Sequence, residues 1–229
     1  MRYAVVIVVL VFSIASRQAM ALDLDIRSSA ANILDFSFLL EHSTIDLERN
    51  GEVVETNLER IGILTYDVPD SGPHFGLALG YAFSDFTTNN LFQSLDMDGF
   101  YIGLSARGFV YESQRLSLML EGHYIYQSVE GHDNENNTAT LSWNEYALSA
   151  TATYALSGAF RVYAAPEFSD IQATYRERGA ISQTVKLDSD NQTGFHAGIR
   201  YRLNNREFVS VQYNNAAVQG VVFRFRRLF

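Results

Sequence analysis

The strongest constraint on the fold is an alternation of large apolar and small residues, which is clearest in the segment GPHFGLALGYAFSD. Large side chains such as Phe75, Leu77 and Leu79 all fall on one face, because successive residues of a β-strand point to opposite sides. The opposite face, from Gly76 to Ser84, carries only glycine, alanine and serine. A soluble sandwich would place charged side chains there, whereas small ones suit the crowded interior of a narrow barrel with lipid outside.

Ten segments of this kind follow one another along the chain, and each reaches the roughly 9–11 residues that a tilted membrane strand needs. They are residues 33–48, 53–66, 74–84, 99–111, 115–129, 141–156, 159–176, 181–203, 206–214 and 217–229. Short turn sequences alternate with long polar connections, notably 85–98 and 130–141, as in membrane barrels. The pattern predicts an all-β fold, a closed antiparallel up-and-down transmembrane barrel of ten strands. Because Asn50-Gly51 is a hairpin signal, eight strands plus an N-terminal hairpin is the alternative.

The N-terminus has the layout of a secretory signal peptide. Arg2 precedes an apolar run from Ala4 to Ala15 that is too short to span a bilayer. Ala19 and Ala21 flank Met20 in a small-x-small cleavage site. We expect cleavage after Ala21, which leaves one barrel domain, residues 22–229, whose first part, 22–32, is a short periplasmic segment.

Composition excludes several classes of function. Removing the signal peptide takes away Arg2 and Arg17, so the formal net charge of −9 becomes −11. A chain this acidic is a poor candidate for nucleic-acid binding, which needs clustered lysine and arginine. Without cysteine it has neither disulfides nor thiol chemistry. No cofactor is expected.

If the large apolar residues face lipid, the charged residues of the strands fall on the interior face. An arginine facing lipid at a strand centre would cost roughly 2–4 kcal/mol. We expect an interior charge network of Asp35, Glu41, Arg60, Arg107, Glu121, His123, Glu145, Arg161, Glu167, Arg200, Arg202, Arg224 and Arg226. Arg107 and Glu121 lie at similar distances from the turn near residue 113, so they could pair across adjacent strands.

Two interpretations of this interior remain open. Buried ions must be paired to be tolerable, and arginine pairs well with carboxylates, so the network could be purely structural. The other interpretation is a narrow aqueous channel lined by arginines, which would favour small anions. A third class of function is adhesion or ligand binding through the polar loops, with Trp143 at the border of a membrane strand.

An enzyme is the least favoured class. The sequence has neither a G-x-S-x-G nor an H-E-x-x-H motif. Glu121 and His123 point to the same side of one strand and could form an acid–base pair, but no nucleophile accompanies them. We therefore expect no catalytic or metal site, and a lipid-modifying activity is only a remote alternative.

The C-terminal segment ends in an alternating strand, with Val221, Phe223, Phe225 and Phe229 two or four residues apart. Together with GPHFGLALGYAFSD, AFRVYAAPEFSD and GFHAGIRYRLNNREFVSVQYNN, this segment resembles the small bacterial outer-membrane β-barrel domains, of the OmpA-like and opacity type, over residues 74–229. In that family a terminal Phe strand is an assembly signal; Arg227 departs from the pattern, since an apolar residue is usual there.

The resemblance implies a location in the bacterial outer membrane, in contact with its lipids and lipopolysaccharide. It also implies the barrel-assembly machinery and periplasmic chaperones as partners during biogenesis, with the chain taken as a monomer. A structural protein or a narrow passive channel is the function expected on this basis.

Overall fold

The structure, a computed structural model, describes residues 34–49, 52–69, 72–86, 96–132, 138–179 and 182–229. These residues form eleven β-strands: β1 (Leu34–Arg49), β2 (Glu52–Asp67), β3 (His74–Phe86), β4 (Met97–Glu112), β5 (Leu116–His132), β6 (Thr138–Ala155), β7 (Phe160–Arg178), β8 (Gln183–Ser189), β9 (Thr193–Arg202), β10 (Glu207–Asn215) and β11 (Val218–Leu228). No helix in the described ranges is long and apolar enough to cross a membrane.

Ten of the strands form a closed antiparallel ring in chain order, with β8 outside it. The ring closes between β1 and β11, which pair from Asp35↔Leu228 to Ile45↔Val218. The predicted all-β barrel with ten strands is therefore confirmed. The alternative of an appended N-terminal hairpin was wrong, because β1 and β2 are both part of the wall.

The predicted strand 181–203 is in fact two strands, β8 and β9, separated at Asp190-Asn191-Gln192. β7 pairs with β9 over Phe160–Phe168 and then with β8 over Gln172–Glu177. β8 in turn reaches β1, where Leu47 is opposite Ser189. The wall thus has ten strands at the turn end, where β1 begins and β11 ends, and eight (β1 to β8) at the loop end.

A glycine makes this change of partner possible. Gly194, at the start of β9, lies under the tip of the β10–β11 hairpin, and a Cβ at this position would meet the Asn215 carbonyl oxygen at 1.7 Å. The hairpin tip is fixed to β7 as well, because the Ala217 amide donates to Ser169 Oγ at 3.0 Å. The short β10–β11 hairpin therefore ends beneath β8, and β8 continues the wall above it.

An apolar band surrounds the ten-strand part of the barrel. On β3 the outward leucines Leu77 and Leu79 are each 41% exposed, while Ala78 and Ala82 point inward and are buried. On β1 and β2 the band ends at Leu40 and Ile61, because the next outward pair is polar: exposed His42 and Glu59, whose side chains lie 3.1 Å apart. Exposed apolar side chains in a continuous belt are what a lipid-facing barrel surface requires.

Beyond that belt the outward face becomes polar and the inward face apolar. On β1, Thr44, Asp46 and Glu48 point outward, while Ile45 and Leu47 are 1% and 0% exposed. The eight-strand part of the barrel therefore resembles a small water-soluble barrel standing on the membrane-spanning ring.

Candidate functional site

The interior at the loop end is packed with apolar side chains, which we call the apolar plug. Its largest members are at most 2% exposed and come from β1, β2, β3, β4, β6, β7 and β8: Ile45, Leu47, Leu58, Phe86, Met97, Leu141, Trp143, Ile171 and Leu187. Phe86 meets Tyr175 edge to face, with ring centroids 5.5 Å apart. The expectation that large apolar residues all face lipid was thus wrong here, and Trp143, expected at the border of a membrane strand and a polar loop, lies inside the barrel.

Arg60 lies directly below the plug and forms a layer of polar contacts across the barrel. Its guanidinium donates to Glu145 at 2.7 Å and to Gln127 at 2.7 Å. The same group is 5.5 Å from the ring centroid of Tyr101 and 5.8 Å from that of Trp143. The guanidinium is therefore held between a carboxylate oxygen, an amide oxygen and two aromatic rings, and all of these stabilise its positive charge.

Two further predicted residues belong to this layer. Glu41 approaches the Arg60 guanidinium at 3.5 Å. His123 contacts the second oxygen of Glu145 at 3.2 Å. The proposed acid–base partnership of His123 with Glu121 is therefore not what the geometry shows, because the histidine is engaged by Glu145 instead.

A second cluster lies nearer the turn end and is centred on Asp35. Arg107 donates to one oxygen of this carboxylate at 2.5 Å and Arg226 donates to the other at 2.8 Å. The Arg107 guanidinium stacks 3.8 Å from the ring centroid of Tyr66, whose hydroxyl donates to Glu121 at 2.7 Å. Arg107 and Glu121 are opposite each other in the β4–β5 register, as the sequence suggested, but the hydrogen bond of Arg107 is to Asp35.

The inward face of β7, β9 and β11 near the turn end is rich in arginine, and we call it the arginine wall. It consists of Arg161, Arg200, Arg202, Arg224 and Arg226. Ser210 of β10 lies between Arg200 and Arg224, because it is opposite the first in one register and opposite the second in the other. Arg200 lies 5.6 Å from the ring centroid of Tyr163.

A cavity of about 210 Å³ occupies the turn-end interior below the plug. Eleven of the thirteen predicted interior residues line it; Asp35 is buried behind Arg107 and Arg226, and Arg202 lies at the turn-end edge. The lining reaches Glu112, the last residue of β4, so the cavity extends to the turn-end rim. The predicted interior set is thus gathered around one cavity that occupies only the lower part of the barrel.

The sequence did not single out a chain of hydrogen bonds on the same wall. His196 Nδ1 is 2.7 Å from Glu167, and its Nε2 is 3.4 Å from the hydroxyl of Thr151. The order resembles an acid–base–nucleophile series, but the hydroxyl contact is longer than the roughly 2.6–3.2 Å of an activated nucleophile. The contacts link β6, β7 and β9.

The residues of the predicted assembly signal lie on the outward face of β11. Val221, Phe223 and Phe229 are 45%, 40% and 49% exposed, and Phe225 shares their face. Arg227, the irregular position, reaches Glu207 at 3.4 Å. Ala19 and Ala21 of the predicted cleavage site lie outside the described residues.

Comparison with known proteins gives one family and several similar folds. A sequence model described as "Outer membrane protein beta-barrel domain" matches residues 64–222. Curated protein sequences gave no significant match.

Three solved structures illustrate the similarity of fold. The translocator domain of the autotransporter NalP from Neisseria meningitidis is 12% identical, with a TM-score of 0.48, over 93% of this chain and 94% of that one. The outer membrane protease OmpT from Escherichia coli is 10% identical, with a TM-score of 0.46, over 88% and 98%. The COG4313 outer membrane channel from Pseudomonas putida F1 is 13% identical, with a TM-score of 0.40, over 91% and 100%.

Proposed function

Because the chain belongs to the outer membrane protein β-barrel domain family, we propose that it is an exported outer-membrane protein of Gram-negative bacteria, with a structural role and no open pore. The observation that carries this proposal is the apolar plug. A solute that entered from the turn end would meet Trp143, Leu141 and Ile171, which are 1%, 0% and 0% exposed. Burial this complete among the described residues favours a closed interior over a path for a hydrated ion.

The charge network supports the same role. Arg60, Glu145, Asp35 and Arg107 are each at most 6% exposed, and their charges are mutually paired. Pairing of this kind makes buried charge tolerable within a membrane-spanning barrel. A porin-like lumen would instead leave its charged side chains facing a continuous water column.

Conductance measured in planar bilayers tests the absence of a pore. We expect the refolded full chain to produce no discrete current steps, while a pore-forming peptide added afterwards to the same bilayer produces them. Regular current steps from the chain alone, absent from protein-free bilayers, would overturn the proposal and favour the narrow channel.

The export route has its own test. We propose that cleavage after Ala21 produces a mature chain that begins at Leu22 and inserts into the outer membrane. Mass spectrometry of the protein from outer-membrane fractions should give that N-terminus, and the folded chain should migrate differently before and after heating in mild detergent. Recovery of the protein in the soluble periplasmic fraction would contradict the proposal.

The eight-strand part favours a second candidate function, ligand binding at the cell surface. Its outward face is polar and lies beyond the lipid-facing belt, and this supports contact with molecules in the surrounding water. Replacing residues 133–137 by a short glycine–serine turn and comparing cell adhesion with the parent protein tests this candidate. Unchanged adhesion of cells that display both proteins equally would count against it.

A further inference from the structure

We propose that the turn-end cavity binds a small phosphate-bearing anion through Arg200, Arg224 and Ser210. This inference goes beyond the structural role, since a barrel sealed at its loop end can still hold a ligand that enters from the turn end.

Arg200 and Arg224 differ from the other interior arginines in their partners. Arg60, Arg107 and Arg226 each hydrogen-bond a carboxylate at 2.5–2.8 Å. Neither Arg200 nor Arg224 forms an ion pair within 4.0 Å with a carboxylate of the described residues. Glu121 attracts Arg224 electrostatically, yet its carboxylate already accepts the hydroxyl of Tyr66.

Both guanidinium groups are nevertheless partly shielded from bulk water. Arg200 and Arg224 are half-buried residues whose side chains line the 210 Å³ cavity. A cation that loses hydration without gaining a carboxylate pays a desolvation cost that an incoming anion would offset. The accessible surface that remains faces the cavity, where a ligand could reach it.

The geometry suits a tetrahedral oxyanion. Arg200 and Arg224 lie on strands separated by β10, and the hydroxyl of Ser210 lies between them in both registers. Two guanidinium forks and one hydroxyl can satisfy several oxygens of one phosphate group, which arginine recognises through paired hydrogen bonds. The cavity volume of about 210 Å³ leaves room beside the phosphate for a small organic group.

Isothermal titration of the full chain in phosphate-free detergent micelles, with inorganic phosphate as the probe, tests the proposal. We expect saturable binding at one site in chloride buffer. Arg200→Gln and Arg224→Gln should each weaken the affinity about tenfold, since a hydrogen bond between charged groups is lost. Arg176→Gln, an exposed arginine on the outward face of β7, is the matched control and should change the affinity by less than about twofold.

Two outcomes would overturn the proposal. One is the absence of saturable heat with the parent chain, and the other is binding that Arg200→Gln and Arg224→Gln leave unchanged. Each variant is first checked for heat-modifiable migration, and Arg200→Lys serves as a second variant because it retains the charge but loses the fork. The conductance measurement tests only whether the loop end is closed, and the titration tests only whether the cavity binds phosphate. The two proposals can therefore fail separately.

Discussion

The loop-end and turn-end halves of this barrel differ in which face of the wall is apolar. Above the lipid-facing belt the interior is filled by the apolar plug, and water surrounds the polar exterior. Within the belt the exterior is apolar, and the interior holds charged side chains around the cavity, among them the ion pairs of Asp35 with Arg107 and Arg226. Each half therefore places its apolar face away from water, and the face that turns inward is decided by what lies outside the wall.

The apolar interior and the charged interior meet at Arg60. Arg60 contacts the carboxylate of Glu145 and lies over the rings of Tyr101 and Trp143, the second of which belongs to the plug. Loss of this side chain should affect both halves at once, because it removes a charge partner and a surface of the plug. The largest effect on stability is expected at this position.

We expect Arg60→Met to lower the free energy of unfolding by about 3–5 kcal/mol, because it leaves Glu145 buried with a charge that has lost its main partner. Urea unfolding in phospholipid vesicles, followed by fluorescence of Trp143, the only tryptophan, measures the change. The double variant Arg60→Met, Glu145→Leu should recover most of the loss, since an apolar pair can replace a buried ion pair. A single-variant loss below about 1 kcal/mol would mean that Arg60 is not the link between the halves.

Two leucines, one in the plug and one on the lipid-facing belt, allow the two regions to be compared by the same substitution. Leu141 is 0% exposed within the plug, whereas Leu104 is 61% exposed on the belt. We expect Leu141→Ala to cost about 3 kcal/mol, because the lost transfer energy is accompanied by a cavity in a packed interior. Leu104→Ala should cost about 1–2 kcal/mol, because acyl chains fill the space that the side chain leaves.

The same urea titrations, carried out on both leucine variants in identical vesicles, check this difference. Equal losses at the two positions would contradict the assignment of Leu141 to a dry, packed interior. A larger loss of unfolding free energy in Leu104→Ala than in Leu141→Ala would mean that water already surrounds Leu141 in the folded protein.

The number of ring strands could be predicted from the sequence because alternation with period two is a local property that each strand displays by itself. Side-chain parity also grouped the charged residues correctly on one face. Parity does not say whether an apolar face turns toward lipid or toward the interior, because that depends on where each strand leaves the bilayer. Trp143 and Ile45 were therefore missed as interior residues.

A signal for the plug was nevertheless present in the sequence. On β1 the residues around Asp46 reverse the pattern seen near Leu40, since polar side chains take the outward positions and Ile45 and Leu47 the inward ones. The polar run from Asp188 to Gln192 marks a break between β8 and β9. Which strands the two segments pair with had no comparable signal, because it depends on contacts with β1 and with the β10–β11 hairpin, which are distant in the chain. The pairing of Arg107 with Asp35 could not be predicted either, because the two residues lie on β4 and β1 and meet only across the interior of the closed ring.

The smallest expected effect concerns charge on the exterior of the eight-strand part. Burial, together with the nearby carboxylates of Glu55 and Asp190, raises the pKa of Asp46 above its usual value of 3.8. A carboxyl whose pKa is raised by folding binds its proton more tightly in the folded state, so its ionisation destabilises the fold above that raised pKa. Lowering the pH through this pKa should therefore stabilise the eight-strand part.

Asp46→Asn removes that charge, and we expect a slightly higher unfolding temperature at pH 7 in the variant than in the parent chain. The difference should shrink as the pH falls through the raised pKa of Asp46, and it should vanish only near about pH 3, well below the ordinary aspartate pKa of about 3.9, where the parent carboxyl is protonated in both states. Thermal unfolding followed by the heat-modifiable shift at several pH values measures it, and Asp188→Asn, on the outward face of β8, is the control. A difference that persists unchanged at low pH would show that the variant acts through something other than the charge of Asp46. The repulsion from Glu55 and Asp190 would then not affect the stability of the eight-strand part.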